Sequence, residues 1–539
     1  MRRTWQSVMI VGTLAAACGG GAKPTATPSS AKPAEPPPAT AAPLAAVVEA
    51  PLPTIPDAPQ AAPADLIAEA SIASLPQLTV ALSGYVDAVR PGMGALISLP
   101  TITAQSGMDF SGVDLTRPIR AFALDPSTHG EPVVVVVAIA DQAALARQVE
   151  ALGMRMVEHG GWAAIGPIEA LRDLAPYALT TGVATTPPAR PTVTFATAAL
   201  MARHQADIDE SIADVAAASP NSQRDLIASS LRSYVDVLAQ LSQVELSLDV
   251  SATHATLELA AVPKPGSGVA AFVAAQRPGT FGLLEKLGGG DILAGGRVDT
   301  STMFTAMVEM SRPFIAMTYG PANADKIATA FAKWPALLNG EQAMTVAVTP
   351  GAFAMAGLWD TTRGAEVQAM LLDFLKLASD TRGGMIEAKV DTKRAPYRNV
   401  RFAIFTARPA ADAPADVQVG YQMFGGTMEA GYAVAGKSML MAMGADPVAQ
   451  LKRLTDLALP KKALPKPSAA LAATLATARQ RGDSYLIAVD VPALVTRMQG
   501  GTEAATSATE LSTMSIATQG GRLLFRTTLP ASQTAGLIP

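Results

Sequence analysis

Paired runs of alternating apolar and polar residues recur along this 539-residue chain and restrict what it can fold into. They begin at Val244, Met344 and Leu511 and read VELSLDVSATHATLELAAV, MTVAVTPGAFAMAGLW and LSTMSIATQGGRLLFRTTL. Each pair surrounds a short polar or glycine-containing turn, which is typical of an antiparallel β-hairpin. The run VVVVVAIA, from Val133 to Ala140, has the length and β-branched composition of a buried strand.

Between the hairpins lie segments that predict a strand followed by the start of a helix. They are TVTFATAAL from Thr192, DILAGGRVDTSTM from Asp291 and SYLIAVDVPALV from Ser484. Ser219 and Pro220 are typical of a helix N-cap with proline at the first helical position. Helical spacing then gives two apolar stripes: Ile227, Leu231, Tyr234, Leu238 and Leu241 in the first, and Val367, Met370, Leu371, Phe374 and Leu375 in the second.

Hairpin sheets covered on one side by helices make an α+β fold. Because similar shapes recur in both halves of the body, the sequence predicts two duplicated lobes, residues 65–275 and 276–539, joined near residues 276–290. The body is longer than one ordinary domain, which agrees with this division.

The N-terminal segment MRRTWQSVMIVGTLAAACGGG has the three parts of an export signal. Arg2 and Arg3 supply positive charge, Val8–Leu14 forms a short apolar core, and small residues follow at Ala15–Ala17. The apolar core is too short for a membrane-spanning helix, so residues 1–17 are predicted to be removed as a signal peptide. Cys18, the only cysteine of the chain, comes directly after them.

This segment resembles the precursors of bacterial lipoproteins, although Leu14 lies one position earlier than the usual leucine and Ala15 occupies its place. The resemblance implies that Cys18 is lipidated (palmitate among the acyl groups), becomes the mature N-terminus and anchors the protein in the cell envelope. Gly19, in place of aspartate, favours the outer membrane and hence a body in the periplasm. The alternative is an ordinary secreted protein in which Cys18 is a free thiol.

Residues 18–64 contain this cysteine and then a segment dominated by proline, alanine, threonine and serine, without an apolar period. Such a composition predicts a disordered, partly polyproline-like linker that holds the body away from the membrane. The whole chain has a net charge of −4 and no basic run longer than two residues. This composition argues against nucleic acid as a partner.

The segment GYAVAGKS, Gly431–Ser438, matches the phosphate-binding loop of nucleotide hydrolases letter for letter. Such a loop must curl so that successive backbone N–H groups point at one oxyanion, whereas YAVA favours an extended strand. GGWAAIGPIEALRDL from Gly160 has the same shape as AGYAVAGKSMLMAMG from Ala430, with Pro167 in the place of Lys437. Both segments are predicted to be a strand and turn that lead into a helix, and the match is interpreted as accidental.

The other candidates for chemistry are isolated. Gly266–Ala271 satisfies a dinucleotide pattern, but Pro263 and Pro265 precede it, and Ser267 as a helix N-cap explains the letters more simply. His204 and Asp207 share a helical face near Asp209 and Glu210, which permits a weak metal site, although polar residues on one helical face are more often simply solvated. His129 and His254 are expected in turns, and His159 belongs to no motif. No catalytic residue, cofactor-binding residue or metal ligand is predicted, and the protein is not expected to be an enzyme.

Methionine is abundant, with 22 copies, and is densest at Met439–Gly444. Flexible thioethers suit ordinary core packing and also adaptable apolar binding surfaces, and these residues are where a groove would be sought. The sequence therefore predicts an envelope lipoprotein with a non-catalytic binding or structural role, through an envelope protein partner. The alternative is a carrier of a lipid or other apolar ligand.

Overall fold

The computed structural model describes residues 51–106, 110–130, 132–218, 224–301, 304–338, 340–349, 352–380, 384–422, 425–461, 463–464, 466–501 and 509–537. Within them the chain forms both strands and helices, and every strand pairing with a described register is antiparallel. The predicted α+β class is confirmed. Cys18, and Ser219 and Pro220 of the predicted N-cap, lie outside the described residues.

The strands are β1 Leu66–Ile72, β2 Ile119–Leu124, β3 Val133–Ala138, β4 Arg155–His159, β5 Trp162–Gly166, β6 Thr192–Phe195, β7 Leu241–Val250, β8 His254–Pro263, β9 Ile292–Gly296, β10 Gln342–Thr349, β11 Ala352–Asp360, β12 Ile386–Asp391, β13 Ala403–Pro409, β14 Met428–Ala435, β15 Ser438–Gly444, β16 Asp483–Val489, β17 Ser512–Gln519 and β18 Arg522–Pro530.

The helices are α1 Leu75–Val89, α2 Leu99–Ser106, α3 Gln142–Ala151, α4 Ile168–Tyr177, α5 Thr197–Arg203, α6 Gln205–Ala218, α7 Arg224–Ala239, α8 Gly268–Ala275, α9 Gly282–Leu287, α10 Phe304–Tyr319, α11 Pro321–Phe331, α12 Trp334–Leu337, α13 Gly364–Ala378, α14 Ala415–Gln422, α15 Pro447–Ala458, α16 Ala469–Arg481, α17 Val491–Met498 and α18 Ala531–Ala535. None of these described helices is both long and apolar enough to span a bilayer.

The chain divides into two compact units, the first comprising Met1–Leu66 with Asp109–Thr186 and the second Ile67–Met108 with Pro187–Pro539. The predicted lobes, residues 65–275 and 276–539, follow another division and stay a prediction. Their boundary coincides with the end of α8 at Ala275.

In the first unit the strands lie in the order β2-β3-β5-β4. The predicted valine strand is confirmed as β3, and both of its faces are buried. Val134 and Val136 pack with Leu171 and Leu174 of α4, whereas Val137 packs with Leu145 of α3. Burial on both faces explains why this strand is a continuous apolar run instead of an alternating one.

Residues 51–64, which the sequence assigns to the linker, pack against the first unit without forming a helix or strand. Ile55 contacts the buried cluster of β2, β3 and α4. The backbone N–H of Gln60 donates to Thr180 Oγ1 at 3.1 Å, and Thr181 Oγ1 donates to the Gln60 carbonyl at 2.5 Å. Proline prevents regular structure here, but tertiary hydrogen bonds still fix the segment.

In the second unit, fourteen strands follow the order β1-β6-β7-β8-β18-β17-β16-β9-β10-β11-β15-β14-β13-β12. Twelve of them form four three-stranded meanders: β6-β7-β8, β9-β10-β11, β13-β14-β15 and β16-β17-β18. In each meander a helical segment follows the first strand, and a helix follows the hairpin. The three predicted hairpins are confirmed as β7–β8, β10–β11 and β17–β18.

The two predicted apolar stripes have different outcomes. All five residues of the second stripe are buried along α13. In the first stripe, Tyr234 and Leu238 are exposed on α7, and Leu241 belongs to β7. The helix is therefore present over most of this stripe, but Val237, on another side of α7, makes the contact with the core.

Candidate functional site

The strand register of the second unit places residues from distant parts of the chain in rows across one sheet face. One such row runs through Leu248, Leu257, Thr527, Met514 and Ile487, on β7, β8, β18, β17 and β16 in turn. It continues through Ala294 and Met344 on β9 and β10. Because side chains alternate between faces along each strand, every second residue from these positions lies on the same face.

We call this the charge-free face, because none of the strand residues that the described register places on it carries a charge. In the central strands it consists of Val244, Leu246, Leu248, Val250, Ala255, Leu257, Leu259, Ala261, Leu523, Phe525, Thr527, Leu529, Ser512, Met514, Ile516, Thr518, Tyr485, Ile487, Val489, Ile292, Ala294, Met344, Val346, Phe353, Met355, Met441 and Met443.

Two tyrosines on this face, Tyr432 on β14 and Tyr485 on β16, keep their phenol groups uncharged. Burial raises the pKa of Tyr432 to about 12, and burial also raises the pKa of Tyr485. Both groups therefore stay neutral near pH 7, and the face bears no charge there.

The opposite face carries the ionisable side chains of the same strands. Arg526 of β18 donates to Glu258 of β8 at 2.5 Å and to Asp483 of β16 at 2.9 Å. Arg481 donates to the other carboxylate oxygen of Asp483, also at 2.9 Å. Asp483 is fully buried and Arg526 is largely buried, so this polar network lies inside the protein.

On β7, β8 and β18 the usual arrangement of an antiparallel sheet is thus reversed, since apolar residues are expected inside and charged residues outside. On β16, β9, β10 and β11 the opposite face is itself apolar and packs with α9, α15 and α16. Met514 is 56% exposed, Leu257 45% and Phe525 42%, although all three lie in the middle of the sheet and not at its edge. Phe195 and Leu529 on the same face are exposed as well. An exposed apolar patch of this kind marks a binding surface more often than an inert one.

Helices cover two parts of the charge-free face. At one end, Val237 of α7 and Val269 and Val273 of α8 pack on Ala261 and Leu523. At the other end, α10 to α13 bury Met439 and Phe405 of β15 and β13. Between these ends Leu248, Leu257, Met514, Ile487, Met344, Met355 and Met441 belong to none of the buried apolar clusters of the described residues.

Helices α7 and α10 approach this face from its two ends and contact one another. Three of their large apolar side chains, Tyr234, Leu238 and Phe314, are exposed. We call the region between the sheet and these two helices the open groove, with the charge-free face as its floor. Met441 and Met443, from the segment that the sequence singled out, lie on this floor near the end that α13 covers.

A second cluster of functional side chains lies in the first unit, around His129. Its Nε2 atom is 2.5 Å from Asp65 Oδ2, and its Nδ1 atom is 3.7 Å from Asp173 Oδ2. These residues line a cavity of about 470 Å3 together with Arg172 and Tyr177. The turn that carries His129 is held by the buried Asp125, whose Oδ1 accepts from the backbone N–H and the hydroxyl of Ser127.

Two further cavities lie in the second unit. One of about 540 Å3 is lined by polar residues, including Asp380, Glu387 and Asp412. The other, of about 200 Å3, lies between α13 and strands β13 and β14, beside Leu371 and Tyr432. Neither is the apolar cavity of several hundred Å3 that an enclosed carrier would have.

The structure corrects one part of the prediction for GYAVAGKS and confirms the other. Gly431–Ala435 is extended in β14, as predicted, and lacks the curled backbone that a phosphate loop requires. The predicted helix after Gly436 is wrong, because Gly436 and Lys437 form a tight turn into β15. Ser438–Gly444 is a strand because its side chains alternate between two buried clusters. Gly160–Leu174 follows the prediction as β5 and α4.

The remaining predicted positions are ordinary parts of the fold. Ser267 caps α8, since its Oγ accepts from the backbone N–H of Ala270 at 3.1 Å. His204 Nδ1 lies 3.3 Å from Asp207 Oδ2 at the junction of α5 and α6. His254 contacts Glu510 at 3.2 Å. Within the described ranges, no group of three or more His, Cys, Asp or Glu side chains is placed to hold a metal ion.

No protein family, no curated protein and no solved structure matches this chain.

Sequence reasoning identified the hairpins but missed both clusters described above. The charge-free face could have been found by marking alternate residues of each predicted strand, because the strands of the open groove carry their charges on one side only. The His129 cluster gave no such signal, since Asp65 is 64 positions away from His129 and at the end of the predicted linker.

Proposed function

We propose that this protein is a lipid-anchored component of the cell envelope whose body has no catalytic role and binds an apolar partner in the open groove. The observation that carries the proposal is the reversed sheet. Met514, Leu257 and Phe525 are exposed, whereas the charged network of Asp483 is buried behind them. Exposed apolar surface in the middle of a sheet is unfavourable in water, and a bound partner would remove it from water.

The lipid anchor in this proposal rests on the N-terminal sequence. The chain has its only cysteine, Cys18, after an export signal. Ile55 and Gln60 contact the first unit, so the spacer between Cys18 and Pro51 comprises the 32 residues 19–50. An extended segment of about 32 residues, at about 3.1 Å per residue, would let the body reach about 100 Å from the membrane.

Metabolic labelling with a fatty acid tests the anchor. We expect the wild-type protein to take up the label and to fractionate with membranes, preferentially the outer membrane. The Cys18→Ala variant should do neither. Equal labelling of the two proteins, or retention of Met1 in a cytosolic product, would remove the anchor from the proposal.

Photo-cross-linking in intact cells tests the open groove. A photoreactive phenylalanine analogue replaces Met514, and the control carries it at Val80 of α1, an equally apolar and even more exposed position. We expect adducts at position 514 and none at position 80. If neither position, or both equally, gave adducts, the groove would not be a binding surface.

The alternative functions have less support. A nucleotide hydrolase through GYAVAGKS would need a curled loop that opens a helix, and the backbone from Gly431 to Gly444 is a hairpin instead. A carrier with an enclosed apolar cavity has no counterpart among the cavities described above. The open groove can nevertheless hold an apolar ligand, and the side chains that line it determine which class of ligand it binds.

A further inference from the structure

We infer that the open groove binds the acyl chains of a phospholipid. This inference rests on the proposed function, because it names the partner of the same surface. Three properties of the groove support it: its lack of hydrogen-bonding groups, its length and its methionines.

The floor of the groove offers almost no directional contacts. Its backbone N–H and C=O groups are used in the strand pairings from β7 to β10, and its side chains carry no charge. Among the seven residues in the row from Leu248 to Met344, only Thr527 has a polar side chain. A protein partner ordinarily forms about one hydrogen bond per 100–200 Å² of interface, which this floor cannot supply. Acyl chains form none and need none.

The length of the row also fits. Neighbouring strands lie about 4.8 Å apart, so the seven strands from β7 to β10 give a charge-free row of about 29 Å. An acyl chain can lie along this row in extended form.

Methionine is concentrated where the chain would lie. Met514 and Met344 are in the row, and Met355 and Met441 are on the same face of β11 and β15. Their unbranched thioether side chains can adapt to acyl chains of different length and unsaturation. Branched residues such as valine would fix one shape instead.

Transfer of a fluorescent phospholipid tests the inference. Vesicles of phosphatidylethanolamine contain an acyl-labelled fluorescent analogue that is quenched in the bilayer, and the acceptor is the full chain carrying Cys18→Ala, which needs no detergent. We expect fluorescence to rise on transfer to this protein. Met514→Glu and Leu257→Glu should each reduce binding by about tenfold or more, because a carboxylate would be buried against hydrocarbon. Val80→Glu, a charge at an exposed site on α1, should leave transfer unchanged.

Circular dichroism and thermal unfolding of each variant show whether a loss of transfer reflects a loss of fold. Both groove positions are exposed in the free protein, so the variants are expected to fold. If a groove variant unfolded, Met514→Ser, which adds a hydroxyl and removes the thioether, would take its place with the same expected direction.

Four results would overturn the inference. Transfer that Met514→Glu and Val80→Glu reduce equally would place the lipid elsewhere. Binding of fluorescent palmitate without transfer of the phospholipid would make free fatty acid the ligand. Failure of both lipids, together with protein adducts at position 514, would leave the proposed function standing with a protein as the partner. Failure of both lipids without any adduct would end the inference and the proposed function together.

Discussion

Glu341 directly precedes β10, and only one of its two carboxylate oxygens accepts hydrogen bonds from the described residues. Its Oε2 accepts from the Thr280 hydroxyl at 2.8 Å and from the Leu283 N–H at 3.3 Å. Its Oε1 is buried and has no hydrogen-bond partner among the described residues. Burial raises the pKa of Glu341, and the nearby Asp360 raises it further. Burial also raises the pKa of Asp360.

Glu341→Gln should therefore stabilise the protein increasingly as the pH rises. Because the folded-state pKa of Glu341 lies above its unfolded value, its stabilising contribution is complete below the unfolded pKa and is lost as the pH rises through the folded pKa. Glutamine keeps the acceptor and stays neutral. We expect the difference in melting temperature, variant minus wild type, to grow between pH 4 and pH 7, as measured by circular dichroism.

Glu366 provides a control with the opposite sign. Its hydrogen bond with Arg363 lowers the pKa of Glu366, so its contribution is present above the unfolded pKa and is lost as the pH falls. For Glu366→Gln, the difference in melting temperature, variant minus wild type, should become more negative as the pH rises. It should stay small, because the pair with Arg363 is exposed and weak. If the melting-temperature differences of the two variants changed with pH in the same direction, the raised pKa would not belong to Glu341.

At the scale of the element, the β14–β15 hairpin shows how a motif can match by letter and not by structure. Gly436 has a φ of 61°, and a Cβ there would lie 3.2 Å from Leu459 Cδ2. Lys437 beside it is exposed. In this hairpin the turn requires Gly436. In a phosphate loop, the lysine would be required to bind the phosphate.

Gly436→Ala should destabilise the protein by about 1–2 kcal/mol, because alanine is strained in the left-handed region. Lys437→Ala should change stability by less than about 0.5 kcal/mol, as for most exposed positions. Urea unfolding measures both. If Lys437→Ala were the more destabilising of the two, or removed a measurable affinity for ATP, the hairpin interpretation would fail.

The β14–β15 hairpin also explains why the sequence did not predict the meander β13-β14-β15. Hairpins β7–β8, β10–β11 and β17–β18 alternate clearly enough to be recognised from sequence. In β15 the two faces enter different buried clusters, so Leu440 and Ala442 are as apolar as Met439 and Met443. A strand buried on both faces has no period of two, and its sequence alone is also compatible with a helix.

At the scale of the whole molecule, the second unit is held together by pairings between meanders that are distant in sequence. Strand β8 pairs with β18, β9 with β16, and β11 with β15. The network of Arg526, Glu258 and Asp483 crosses the first of these junctions and is almost wholly buried. Such a network is costly to disrupt, because loss of the Asp483 carboxylate removes one of the two counter-charges of the buried Arg526 and the hydrogen-bond partner of Arg481.

Asp483→Asn should therefore destabilise the second unit by about 3–5 kcal/mol, since it removes one partner of the buried pair with Arg526. The control is Glu387→Gln, which removes the exposed pair with Arg408 and should change stability by at most about 1 kcal/mol. Chemical denaturation gives both values. Similar small effects for the two variants would mean that the network adds little to the junction.

The sequence by itself determined the α+β class, three hairpins, the apolar face of α13 and the cap at Ser267, because each depends on neighbours within a few residues along the chain. It also gave the prediction of a signal peptide and a lipidated Cys18, which the described residues do not include. These signals are local, and local propensity and periodicity are sufficient to express them.

Only the tertiary structure decided which strands are neighbours, and with them the site. Leu257 and Met514 share a row because β8 and β17 both pair with β18. Likewise, Asp65 and His129 meet only because the end of the linker folds back on the first unit. The order of strands in a sheet depends on long-range burial and pairing, which no window of sequence contains. The reversal at β7, β8 and β18, with charges on the inner face and apolar residues on the open face, is a property of that order.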